Sequence, residues 1–207
     1  HVLVSAFSGG IRDHRALADL CREVPGVNGV TPFVYSEVML SASGGVKGVV
    51  LRGIDPTSAD QVLSISKDMI GGTVKDLDKQ EDFPGIIVGA EMAKRLGLSV
   101  GANVNLLSPT GTQSSVGFTP KVRVFKVVGI FRTGMFEYDA TLGYVTVDAA
   151  RNLLGFNEDV VSGLEVRLDD VYKAGEISEL LRAKLHDHPV YIRNWQEMNA
   201  NLFAALE

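Results

Sequence analysis

Asn103-Val-Asn-Leu-Leu107 and Lys121-Val-Arg-Val-Phe-Lys-Val-Val128 are rich in β-branched or large apolar residues, and between them runs Pro109-Thr-Gly-Thr-Gln-Ser-Ser-Val-Gly-Phe-Thr-Pro120. Strand formers on both sides of a turn-forming run predict a long antiparallel hairpin. Its connection far exceeds the roughly two to five residues of ordinary hairpins. A loop of that length is either disordered or built to touch something, and we take the second as the expectation. Proline at each end fixes φ and withdraws a ladder donor, which stiffens the arm and blunts it against pairing with other chains. Val116 and Phe118 are its large apolar residues.

On the N-terminal side of the hairpin, Gly85-Ile-Ile-Val-Gly89 predicts a buried strand, Ala90 to Leu96 a short helix, and Gly97 its left-handed cap. Further back, Gly29 to Leu40 and Val46 to Ile54 predict a strand pair that Asp55-Pro56 ends, and Val-Lys-Gly-Val-Val-Leu-Arg-Gly-Ile-Asp55 suggests bulges or close backbone approach. Thr57 to Phe83 reads as short helices and loops, with Lys75 to Asp82 a solvated charged segment. The chain opens on a strand, His1 to Phe7, and a helix with Leu17, Leu20, Cys21 and Val24 on one face that Pro25-Gly26 ends. On the C-terminal side come a strand from Thr141 to Val147 and a helix from Asp148 to Leu154, with Asp148 as N-cap and Gly155 as C′. A strand from Val160 to Leu168, a helix from about Val171 to His186 bearing Ala174, Ile177, Leu181 and Leu185, and the strand Pro189-Val-Tyr-Ile192 complete the chain. Strand and helix units at both ends around a β-rich middle predict an α+β fold with an inserted β subdomain.

The 207 residues suffice for one large domain or two small subdomains. A net charge of −5 without a basic cluster argues against nucleic acid as a partner. The single Cys21 excludes an intrachain disulfide framework and a cysteine-rich zinc site, and its helical spacing marks it as a core residue. No run approaches the roughly 18 to 20 apolar residues of a membrane-spanning helix. Because the sequence begins directly in a strand and ends in a helical pattern, Asn194 to Glu207, it reads as a fragment whose missing parts would be membrane segments.

Catalytic constellations are thin. His186-Asp-His188 has chelating residue types, but at a helix end before proline it reads as a solvated terminus, and Asp13-His14 reads as structural. The glycine pairs at 9–10, 44–45 and 71–72 lack the strand, fingerprint and helix context of a nucleotide site. Glu137-Tyr-Asp139 follows a flexible-looking Arg132-Thr-Gly-Met-Phe136; strand alternation would place both acids on one side as an acid and base pair, and a surface turn is the competing reading. No cofactor and no metal are expected.

Val88-Gly-Ala-Glu-Met-Ala-Lys-Arg-Leu-Gly-Leu-Ser-Val-Gly-Ala-Asn-Val104 and Lys126-Val-Val-Gly-Ile-Phe-Arg-Thr-Gly-Met-Phe-Glu-Tyr-Asp139 resemble the periplasmic domain of LolC/LolE permease subunits of lipoprotein-releasing ABC transporters. Gly29-Val-Thr-Pro-Phe33 and Asn194-Trp195 are similar too, and the spacing also admits the wider MacB-like permease group. The resemblance implies a two-lobed MacB-like domain: residues 1–54 and 156–207 as an α/β (Porter-like) lobe, and residues 55–155 as a β-rich (Sabre-like) lobe with a Hook hairpin at 105–123. It implies a non-catalytic part, at the periplasmic face of the Gram-negative inner membrane, of a permease that extracts lipoproteins. A separate cytoplasmic ATPase subunit, LolD, would hydrolyse ATP, and a second permease subunit, LolE or a copy of the first, would complete the complex.

In the LolC type the Hook grips the soluble lipoprotein chaperone LolA. The Hook residues that the resemblance carries over are Pro109, Thr112, Gln113, Ser114, Ser115, Val116, Gly117, Phe118, Thr119 and Pro120. A small platform on the strands beneath would comprise Asn105, Val122 and Arg123, although Asn105 stands where a second basic residue is expected and Val122 replaces a polar neighbour. The alternatives are a MacB-like mechanotransmission or export domain without a chaperone and, from a different class, a hydrolase using Glu137 and Asp139.

Overall fold

Alternating and helical apolar patterns become strands and helices in the computed structural model, which describes residues 1–7, 9–59, 64–79, 81–109, 112–114, 117–119, 121–156 and 158–199. The order begins with β1 (Val2–Ala6), α1 (His14–Arg22), β2 (Val27–Ala42), β3 (Gly45–Ile54), α2 (Pro56–Ala59), α3 (Ile65–Asp68) and β4 (Met69–Gly71). It continues through a 3₁₀ turn (Val74–Asp78), β5 (Gly85–Gly89), α4 (Ala90–Leu96), β6 (Asn103–Leu107), β7 (Thr112–Ser114), β8 (Gly117–Thr119) and β9 (Val122–Phe131). It ends with α5 (Phe136–Thr141), β10 (Leu142–Thr146), α6 (Val147–Leu154), β11 (Gly163–Leu168), a 3₁₀ turn (Val171–Lys173), α7 (Ala174–Lys184) and β12 (Val190–Asn194). Residues 195–199 begin a further helix, and the rest of the helical pattern expected through Glu207 lies outside the described residues.

The contacts divide the chain into two units, His1–Phe33 with Glu158–Glu207, and Val34–Asn157. Sequence reasoning instead grouped residues 34–54 with the chain ends. The physical reason for the difference is β3, whose residues Val50 to Ile54 pair in parallel with β10 of the middle segment. Which strand becomes the second neighbour of a hairpin strand is not decided locally.

In the unit built from both chain ends, β12, β1, β11 and the first part of β2 lie in that order, all antiparallel. Val2, Val4, Leu164 and Val166 are fully buried, as period-2 alternation requires of one face. Leu17, Ala18 and Cys21 of α1, with Ala174, Ile177 and Leu181 of α7, are buried too. Removing the Cys21 thiolate from water pushes its pKa up to about 11, so this thiol is an inert core residue.

In the middle unit the order is β2, β3, β10, β5, β9 and β4, and β6 pairs with both β2 and β9. All five residues of β5 are buried, because it runs parallel to β9 on one side and antiparallel to β10 on the other. Gly97 and Gly155 end α4 and α6 with φ of 67° and 77°, the left-handed region that glycine enters without a Cβ penalty. The N-cap of α6 is Thr146 and not Asp148: Thr146 Oγ1 accepts the Ala149 N–H at 3.1 Å, while Asp148 sits in the first turn and pairs with Arg151. Thr146→Ala should therefore cost about 1 kcal/mol in urea unfolding, and Asp148→Ala clearly less.

Candidate functional site

The predicted hairpin exists, and it has two storeys. The lower ladder pairs β6 with β9 from Asn103↔Lys126 to Leu107↔Val122, and the Ser108 N–H closes it by donating to the Lys121 carbonyl at 2.9 Å. The upper ladder, β7 with β8, pairs Thr112↔Thr119, Gln113↔Phe118 and Ser114↔Gly117 as a two-stranded sheet of its own. The seven residue-to-residue steps from Leu107 to Ser114 span at most about 23 Å at about 3.3 Å each. Pro109 and Gly117 are exposed, and Gly117 turns the tip with φ of 118°. Ser115, Val116 and Pro120 of the expected Hook lie outside the described residues, as do Thr110 and Gly111.

At the root, register separates the three expected platform residues. Asn105 lies opposite Val124 and Leu107 opposite Val122, so Asn105 and Val122 share one face of the ladder. Arg123 lies opposite the fully buried Leu106, on the other face. Its guanidinium donates to Asn152 Oδ1 at 3.3 Å and to the Val122 carbonyl at 3.1 Å. Lys121, which sequence reasoning passed over, donates its ammonium to the Asn152 carbonyl. A signal for both was present: residues 92–136 contain no Asp or Glu, yet hold Lys94, Arg95, Lys121, Arg123, Lys126 and Arg132 in a chain of net charge −5. Of these, Lys126 is neutralised by Glu81 at 2.7 Å.

The acid and base pair at 137 and 139 does not form. Phe136–Thr141 is a helix, so residues two apart point away from each other. Glu137 is exposed, whereas Asp139 is buried and accepts from Thr133 N–H at 2.8 Å, Thr133 Oγ1 at 2.7 Å and Gly134 N–H at 3.1 Å. Burial pushes its carboxyl pKa up, but these hydrogen bonds and the Arg132 charge outweigh burial and hold it below the usual carboxylate value. Asp139 thus stays ionised as a structural acceptor. The stretch read as flexible is a hydrogen-bonded turn that leaves Met135, Phe136 and Tyr138 exposed.

His186 Nδ1 donates to the Ala183 carbonyl at 2.9 Å, and its Nε2 lies 2.9 Å from Asp187, as at a helix end. His14 is buried against Asp159 at 3.2 Å. Among the described residues no group of three His, Cys, Asp or Glu is placed to hold a metal ion, and no helix is long and apolar enough to cross a membrane.

A family model described as the MacB-like periplasmic core domain matches residues 2–184. The chain is 30% identical over 198 residues to the lipoprotein-releasing system transmembrane protein LolC of Neisseria meningitidis serogroup B, covering 94% of this chain and 46% of that protein. It is 27% identical over 176 residues to the corresponding LolE protein of Haemophilus influenzae, covering 83% of this chain and 40% of that one. The chain therefore spans about half the length of these relatives. The periplasmic region of MacB from Actinobacillus actinomycetemcomitans shares the fold, with a TM-score of 0.60 at 15% identity over 97% of this chain and 91% of its own.

Proposed function

The chain belongs to the MacB-like periplasmic core domain family, and from that premise we propose that it is the periplasmic part of a lipoprotein-releasing permease whose Hook recruits the chaperone LolA. The observation that supports this reading is the second ladder of the hairpin: β7 and β8 pair with each other as a two-stranded sheet, separate from the ladder that β6 and β9 form at the root. The LolC and LolE names of its relatives support lipoprotein release as the setting. In that setting the chain itself is non-catalytic, a LolD-type ATPase hydrolyses ATP, and a second permease subunit completes the membrane complex. Lipoprotein is its cargo, and the periplasmic face of the inner membrane is its place.

The β7–β8 pair would offer a partner backbone hydrogen bonds at its outer edges. Burial of Val116 and Phe118 would each add about 1.5–3 kcal/mol when fully removed from water. Such a sum suits a contact that forms and releases in each transport cycle. Titration of the chain with its cognate chaperone should show binding that Phe118→Asp weakens by at least about tenfold, from the loss of that burial. Deletion of residues 114–119 should abolish it. Unchanged affinity in both variants would remove the arm from the mechanism, and an empty titration with the unaltered chain would favour a MacB-like export role without a chaperone.

A further inference from the structure

Lys121 immediately precedes β9 and Arg123 lies at its start, and the side chains of both donate to Asn152, Lys121 to its carbonyl and Arg123 to its Oδ1. Asn152 lies in the last turn of α6, where carbonyls lack helical partners and the helix presents its negative end. Two cations are therefore favoured there. The post they hold is itself fixed: Thr146 and Gly155 cap its ends, and Val147, Ala150, Leu153 and Leu154 are buried. Ala150 sits over Gly53 so closely that an added Cβ there would lie 2.8 Å from its own. The other strand of the arm is pinned by Ser108, 2% exposed, whose N–H donates to the carbonyl of the same Lys121.

We propose that Asn152 is a positioning residue which, with Lys121 and Arg123, sets the direction in which the arm leaves the sheet. The arm is thereby presented to its partner already aligned, and Arg123 is tethered before that partner arrives. This inference rests on the chaperone-docking reading only for its effect on binding; the brace itself is a property of the free chain.

Hydrogen exchange of the free chain and association kinetics with the cognate chaperone test it together. In the double variant Asn152→Leu, Lys121→Met, the amide of Ser108 should exchange about tenfold faster, as expected for losing roughly one charge-assisted hydrogen bond's worth of protection. The melting temperature should stay within about 2 °C, since the bonds lie at the surface. Association with the chaperone should slow about three- to tenfold while dissociation changes less, because alignment is a cost met before contact. Asn152→Asp keeps the acceptor and should behave as the unaltered chain in both assays. Unaltered exchange at the root in the double variant would overturn the proposal. A chain lacking residues 114–119 separates the two readings: chaperone affinity that survives this deletion sinks the docking reading, while accelerated root exchange in the double variant still upholds the brace.

Discussion

Gly89→Ala is expected to lower the stability of the folded chain by about 3–5 kcal/mol, at the severe end of single substitutions. Gly89 ends β5 and caps α4 with φ of −69°, a conformation that alanine adopts freely, so backbone strain is not the cause. The cause is space. A Cβ on Gly89 would lie 2.1 Å from the Asp139 carbonyl oxygen and 2.6 Å from its carbon, and these are backbone atoms of α5 that no rotamer change can move aside. Either α5 shifts or the end of β5 does, and β5 is buried between β9 and β10. Urea unfolding should show the midpoint falling steeply. Gly97→Ala is the matched control: nothing lies within 4 Å of its Cβ, but φ is 67°, so about 1 kcal/mol is expected from conformation alone. Equal losses in the two variants would mean that α5 yields and that close packing at Gly89 is not what holds this corner.

Asp139→Ala should cost about 2–4 kcal/mol at pH 7, since it strands the Thr133 and Gly134 N–H groups of the same corner. Its pH dependence identifies the mechanism. The folded carboxyl titrates below its unfolded value of 3.8, so its contribution is fully present above that value and is lost as pH falls through the lower, folded one. Below about pH 4 the unaltered chain should lose stability faster than Asp139→Ala, and their unfolding midpoints should converge in acid. Parallel midpoints from pH 7 down to pH 2 would show that the carboxylate charge is not what the turn uses. Gly89 and Asp139 touch, so the double variant should cost less than the sum.

Both effects arise at a place where local pattern admits two readings. Glu137-Tyr-Asp139 reads either as a strand with two acids on one side or as a surface turn, and is a short helix after a turn, whose Asp139 turns inward to hold Thr133 and Gly134. The Asp148 cap failed for a similar reason, because Thr146, still the last residue of β10, reaches the Ala149 N–H first. By contrast β5, the Gly97 and Gly155 caps, and the buried face of α7 at Ala174, Ile177 and Leu181 were legible, since each is decided by residues within one turn or one strand. The root of the arm was half legible. Proline spacing and the acid-free window mark the region, but only register shows that Asn105 and Val122 face one way and Arg123 the other.

Sequence by itself determined the elements, the two-ended organisation of the α/β unit, the long hairpin and the absence of a recognisable catalytic motif, because periodicity, caps and turn chemistry act over a few residues. Tertiary structure alone decided that β3 joins β10, that β5 runs parallel to β9, and that Lys121 and Arg123 meet on Asn152. Those pairings join segments far apart in the chain, and which of several competent strands or acceptors becomes the neighbour depends on burying the whole set at once.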